Sequence, residues 1–152
     1  MKGVVAALAG RKATLSAGLF AGASVYINLV EHPARMQAGT KVALMEFAPS
    51  YHRATVTQVS LAIVGFLSAL VAWRLRSDSR WLIGGVLLVS VIPFTALAIL
   101  PTNKQLLDPE TANDLDLAEK LLTRWGRLHA VRSVLSLTSL LLFLFLPGKD
   151  KG

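Results

Sequence analysis

Trp125, His129 and Arg132 stand at i, i+4 and i+7, so on a helix they share one face. Imidazole is the side chain that exchanges protons near neutral pH, and guanidinium is a permanent cation. Both enter the most apolar part of the chain, Val134 to Leu146. A charge inside such a segment costs roughly 2.5 kcal/mol or more unless it faces a protein interior or a water-filled cavity. A functional cavity explains Arg132 better than a purely structural ion pair does.

Other reactive side chains fall at the borders of apolar segments. They are Glu31-His32-Pro33, Tyr51-His52-Arg53 and Pro101-Thr102-Asn103. With His129 these include all three histidines of the chain. Each also has an ordinary reading. Tyr51 and Arg53 suit interfacial anchors. Asn103 suits a helix cap. Glu31 beside His32 suits a surface pair worth under about 1 kcal/mol. A metal held by His32, His52 or His129 is a weak reading, because no two histidines share a helix turn. Haem is weaker still. The chain has no cysteine, which removes thiolate metal sites and cysteine nucleophiles. There is no phosphate-binding glycine loop. Ser136, Thr138 and Ser139 lack a base in reach and are expected to bond carbonyls within their own helix.

These groups need a scaffold, and the composition points to a membrane one. Hydrophobic residues make up 53% of the 152, and mean hydropathy is +0.54. Four apolar runs, about 13–30, 54–73, 81–100 and 128–146, approach the roughly 20 residues a spanning helix needs. The expected fold is all-α: one integral membrane four-helix bundle, with short amphipathic helical segments in the first and third connections. Net charge is +7, but the basic residues flank apolar runs. That pattern fits anionic lipid and topology signals rather than nucleic acid.

The first run carries Ser16, Ser24 and Asn28 and is the least apolar. No small-residue cleavage site follows it, so it reads as a retained span, although a mitochondrial address is conceivable. Gly18 and Gly22 form a small-xxx-small pair suited to close helix approach, as in a homo-oligomer or a subunit of a larger membrane complex. His32-Pro33 is expected to end the first helix. A short amphipathic helix follows over Arg35 to Phe47, ended by Pro49. Trp73 and Trp81 flank a basic turn at interfacial depth. Pro93 should kink the third span, which ends at Pro101-Thr102-Asn103. From the Asp108-Pro109 cap, a helix is expected to run unbroken to Leu146, with Pro147-Gly148 stopping it.

Basic residues are equally numerous on the two sides. They are packed into short flanks at Lys2, Arg11, Lys12, Arg74, Arg76, Arg80, Lys149 and Lys151. This favours both termini on the cytoplasmic or equivalent side of a bacterial inner membrane or a eukaryotic organelle membrane. Every candidate site residue then lies at the opposite end.

Together, Glu31-His32-Pro33-Ala34-Arg35, Pro49-Ser50-Tyr51-His52-Arg53, Pro101-Thr102-Asn103 and Trp125-Gly126-Arg127-Leu128-His129-Ala130-Val131-Arg132 resemble the anthrone oxygenase-like family. These are small four-helix membrane proteins, most of whose bacterial and animal members are known only as a domain of unknown function. The resemblance implies cofactor-independent oxidation of an apolar aromatic or quinol-like substrate by dioxygen. In that reading His129 is the base. Arg132 and Asn103 stabilise the enolate oxygen. Trp125 and Tyr51 stack on a flat ring, and His52, Arg53, Glu31 and His32 complete the substrate site. The alternative is a non-enzymatic membrane protein that binds a lipid or quinone or serves as a complex subunit.

Overall fold

The computed structural model describes residues 1–145. Four long helices form the bundle: α1 (Lys2–Gln37), α2 (Thr40–Arg76), α3 (Ser79–Leu106) and α4 (Leu115–Phe145). All four are long and apolar enough, by length and composition, to cross a membrane. The expected all-α four-helix bundle is the observed fold. Leu146, the expected stop at Pro147-Gly148, and the tail residues Lys149 and Lys151 lie outside the described residues.

The helices run well past the apolar segments because prolines expected to end them do not. His32-Pro33 leaves α1 intact. A π turn at Ile27–Glu31 precedes the proline, and α-helix resumes over His32–Gln37. The same device recurs in α3, where a π turn at Thr95–Ile99 lies between Pro93 and Pro101 and the helix continues to Leu106. Proline removes a hydrogen-bond donor and crowds the carbonyl four residues earlier. Shifting to i→i+5 bonding for one turn opens the ladder at that point. Pro49 likewise sits inside α2.

The break between α1 and α2 is Gly39, whose φ of 98° suits a residue without a Cβ. The expected amphipathic helix over Arg35 to Phe47 is therefore divided between the last turn of α1 and the first turns of α2. The third connection holds a 3₁₀ turn, Pro109–Asn113, capped by Asp108, whose Oδ1 accepts from the Glu110 amide at 3.0 Å. Asp114 is extended and caps α4 through the Leu117 amide at 2.9 Å. This breaks the helix expected to run unbroken from Pro109.

α1 packs on α2 and α4, and α3 packs between the other sides of α2 and α4. At the end near the termini the seam is alanine-rich. Ala9, Ala13 and Ala17 meet Ala62, Ala69 and Ala72 around Phe20, Leu88 and Phe143. Trp81, expected at an interface, is buried here and stacks on Phe143 with centroids 5.0 Å apart. Gly18 faces Leu140, whereas a Cβ on Gly22 would meet nothing within 4 Å. Ser136 bonds within α4, to the Arg132 carbonyl at 2.8 Å; Ser139 crosses to α3 and donates to the Gly84 carbonyl at 2.7 Å. The opposite end is aromatic and bulkier, with Phe47, Ile99, Leu106, Leu122 and Trp125 in its core. Short links make successive helices antiparallel, which delivers Glu31, Tyr51, Asn103 and His129 to this aromatic end.

Candidate active site

Asn28 forms the hub of the α1–α4 contact. Its Nδ2 donates to the Gly126 carbonyl at 3.0 Å, which orients the amide. Its Oδ1 then accepts from Ser133 Oγ at 2.6 Å and from His129 Nδ1 at 2.8 Å. Because Oδ1 only accepts, Nδ1 of His129 carries a proton. In the neutral imidazole the lone pair is therefore on Nε2. The His129 ring stacks on Trp125, with centroids 4.8 Å apart.

Arg132 lies one turn further along α4. Its Nη2 donates to Gln58 Oε1 of α2, and its guanidinium stands 5.5 Å from the Phe20 ring. Among the described residues no carboxylate reaches ion-pair distance of it. The charge is held by an amide and a ring face, so it is solvated in part but not neutralised.

Around these groups lies a cavity of about 370 Å³. His129, Arg132, Asn103, Trp125, Tyr51, Arg53 and Glu31 all line it. Asn103 is 1% exposed, and its side-chain Oδ1 has no hydrogen-bond partner among the described residues. Trp125 contributes little open ring surface. It is 8% exposed and is packed by His129, by Phe47 edge-on at 5.6 Å and by His32 at 5.3 Å. Tyr51 is half-buried and stacks on Phe47.

Two candidates stand outside the cavity lining. His32 is buried against Trp125 and Gly126, where a Cβ on Gly126 would overlap its imidazole. It fixes the spacing of α1 and α4. His52 is exposed, and its ring centroid lies 5.3 Å from that of Tyr51. Tyr51 and Arg53 on either side of it line the cavity, while His52 is on the outer face of α2. His32, His52 and His129 do not converge. Among the described residues no three metal-ligating side chains come together.

Three residues at the site escaped the sequence reading: Gln58 and Arg35, which line the cavity, and Asn28, which holds His129. Gln58 is 4% exposed and continues the i, i+4, i+7 face of Tyr51 and Thr55, a spacing that marks it in retrospect. Arg35, read only as part of the first connection and of the motif that resembles the family, is 3% exposed. Its Nη2 donates to Glu31 Oε1 and, at 3.4 Å, to Ser50 Oγ, and its guanidinium is 5.9 Å from the Trp125 ring. Its Nε and Nη1 have no hydrogen-bond partner among the described residues. The charged residues lining the cavity are thus three arginines and one glutamate. A base, unneutralised cations, a buried amide and aromatic walls suit a flat ligand that develops negative charge on oxygen.

Comparison with known proteins agrees with this chemistry. A family model described as "Anthrone oxygenase" matches residues 47–142, a description by activity rather than as a domain of unknown function. The anthrone oxygenase dmxR16 of Cryptosporiopsis sp. is 30% identical over 138 residues, covering 86% of this chain and 80% of its own. The anthrone oxygenase tpcL of Aspergillus fumigatus is 29% identical over 136 residues, covering 82% and 84%. The anthrone oxygenase ptaC of Pestalotiopsis fici is 34% identical over 115 residues, covering 65% and 80%. No solved structure matches. A family match across more than half the chain, with relatives of this similarity along most of its length, shows that the chain belongs to the anthrone oxygenase family.

Proposed function

We propose that the protein is a membrane-embedded oxygenase that converts an anthrone-type or quinol-like aromatic to its quinone with dioxygen, using no cofactor. The observation that carries this reading is that His129, Arg132 and Asn103 line one cavity with Tyr51. The methylene of an anthrone is acidic because its anion is delocalised over the flanking rings. His129 Nε2 takes that proton, and Asn28 steadies the imidazolium through Nδ1–H. Arg132 and Asn103 face the enolate oxygen. The carbanion carbon then gives its electron pair to dioxygen, forming a C–O bond and a peroxide anion. His129 returns its proton to the peroxide. Loss of the second methylene proton and cleavage of the O–O bond release water and leave the new carbonyl. For an anthrone, substrate and dioxygen are consumed in equal amounts, and one water is formed.

Large apolar side chains such as Leu19, Val56, Leu97 and Val134 face outward on all four helices, which supports insertion in a bilayer. An apolar substrate would reach the cavity from the lipid at the non-cytoplasmic end.

The test is dioxygen uptake by purified protein with an anthrone, alongside a folded His129→Ala variant. Stoichiometric uptake abolished by the substitution is the expected result. Absence of uptake with every anthrone and quinol tried would overturn the reading. Tight binding of a quinone without turnover would make the cavity a carrier site instead.

A further inference from the structure

A second, smaller cavity of about 160 Å³ adjoins the first. The two share one wall, made of Tyr51, Thr55, Gln58 and Arg132. Beyond that wall the lining turns apolar, with Phe20, Val91, Ile92 and Ala96. The π turn at Thr95–Ile99 forms part of the far side. At less than half the volume of the main cavity, this chamber is too small for a three-ring aromatic. Its outer side reaches the bundle surface between α2 and α3, where Val59 is 37% exposed and Ala96 is exposed.

Resting on the oxidative reading above, we infer that this chamber holds the dioxygen that reacts in the main cavity. Small apolar cavities in proteins stay dry and take up apolar gases. Dioxygen dissolves better in hydrocarbon than in water, so a chamber open toward the acyl chains fills from the richer phase. The shared wall then places the gas beside Arg132. When the substrate carbanion donates its electron pair to dioxygen, the negative charge moves to the outer peroxide oxygen. That charge forms at the boundary where the unneutralised guanidinium stands. One cation therefore serves the enolate before the C–O bond forms and the peroxide after it.

Ala96 and Val59 allow the chamber to be filled from its exposed side, without disturbing the buried core. In Ala96→Leu and, independently, Val59→Phe, KM for dioxygen should rise severalfold. KM for the anthrone and kcat at saturating dioxygen should hold. An unchanged KM for dioxygen in both variants would overturn the inference. So would a rise confined to the KM of the anthrone, which would give the chamber to part of the aromatic ligand. Xenon supplies a readout that needs no turnover. Under xenon pressure the wild-type chamber should show bound xenon, and Ala96→Leu should lose it. If the wild type oxidises no anthrone, the proposed function fails and xenon alone decides whether the chamber takes an apolar gas. A chamber without xenon overturns the inference whatever the activity.

Discussion

Asn28 of α1 accepts a hydrogen bond from His129 of α4 across 2.8 Å, and the rest of its amide is already committed to Gly126 and Ser133. The imidazole is therefore held in one tautomer by a residue 101 positions away.

Replacing Asn28 separates orientation from packing. Asn28→Leu leaves the Nδ1–H, the Ser133 hydroxyl and the Gly126 carbonyl without their partner, for a loss of about 1–3 kcal/mol in stability. Its kcat should fall more than its KM rises. Asn28→Asp keeps the acceptor for His129 and should retain more turnover than Asn28→Leu. Equal activity in the two variants would remove the orienting role.

Arg132 is expected to support catalysis at the expense of stability. A cation at this depth costs roughly 2.5 kcal/mol or more, and the bond to Gln58 returns only about 1 kcal/mol. Arg132→Met should therefore melt at or above the wild-type temperature, while dioxygen uptake falls on the order of 10²–10³-fold. A clear drop in melting temperature would instead make Arg132 a structural residue.

Gly126 is the point where α4 admits His32. Gly126→Ala drives a methyl into the imidazole and should cost about 1–3 kcal/mol. Adding His32→Ala should recover part of that loss, giving a non-additive double-mutant cycle. Simple additivity would show that the two positions do not press on each other.

His52 provides the contrasting case. It is exposed, outside the cavity lining, so His52→Ala should change stability by no more than about 0.5 kcal/mol. Turnover should stay at the wild-type value. Loss of dioxygen uptake in this variant would require the site to extend around the outer face of α2.

Membrane orientation can be read with introduced thiols, since the chain has no cysteine. Asn113→Cys, in the connection before α4, should react with an impermeant maleimide from outside intact cells. Lys2→Cys should react only after permeabilisation. The opposite pattern would place the cavity on the cytoplasmic side.

The cavity lining was legible wherever a polar side chain interrupts an apolar helix on a recognisable face. That covers His129, Arg132, Asn103 and Tyr51. Asn28 was read only as a blemish in a small-residue span, because its three partners all lie in α4. Arg35 looked like one basic residue among many, and only packing against Trp125 reveals it as buried. Helix number and order followed from hydropathy. Helix ends did not, because a proline in a single sequence reads as a stop, and the π turns at 27–31 and 95–99 that precede Pro33 and Pro101 leave no mark in the hydropathy pattern.

Those two π turns leave a trace that can be looked for across relatives. Each arises when a helix carries one residue more than its α-helical repeat allows. A descendant that shed either turn would differ by a single-residue deletion inside an otherwise uninterrupted apolar segment, near 27–31 or 95–99. Because the widened turn absorbs the extra residue, losing both together would leave the side chains beyond it on the same helix faces, and only the residues of the turn itself would move. Arg35 would stay over Trp125 and Asn103 on the cavity, while Ile27 and Glu31 in the first turn and Thr95 and Ala96 in the second would shift against the cavities they line. A one-residue gap at 27–31 would then mark a relative whose main cavity wall is built differently, and one at 95–99 a relative with a reshaped smaller chamber.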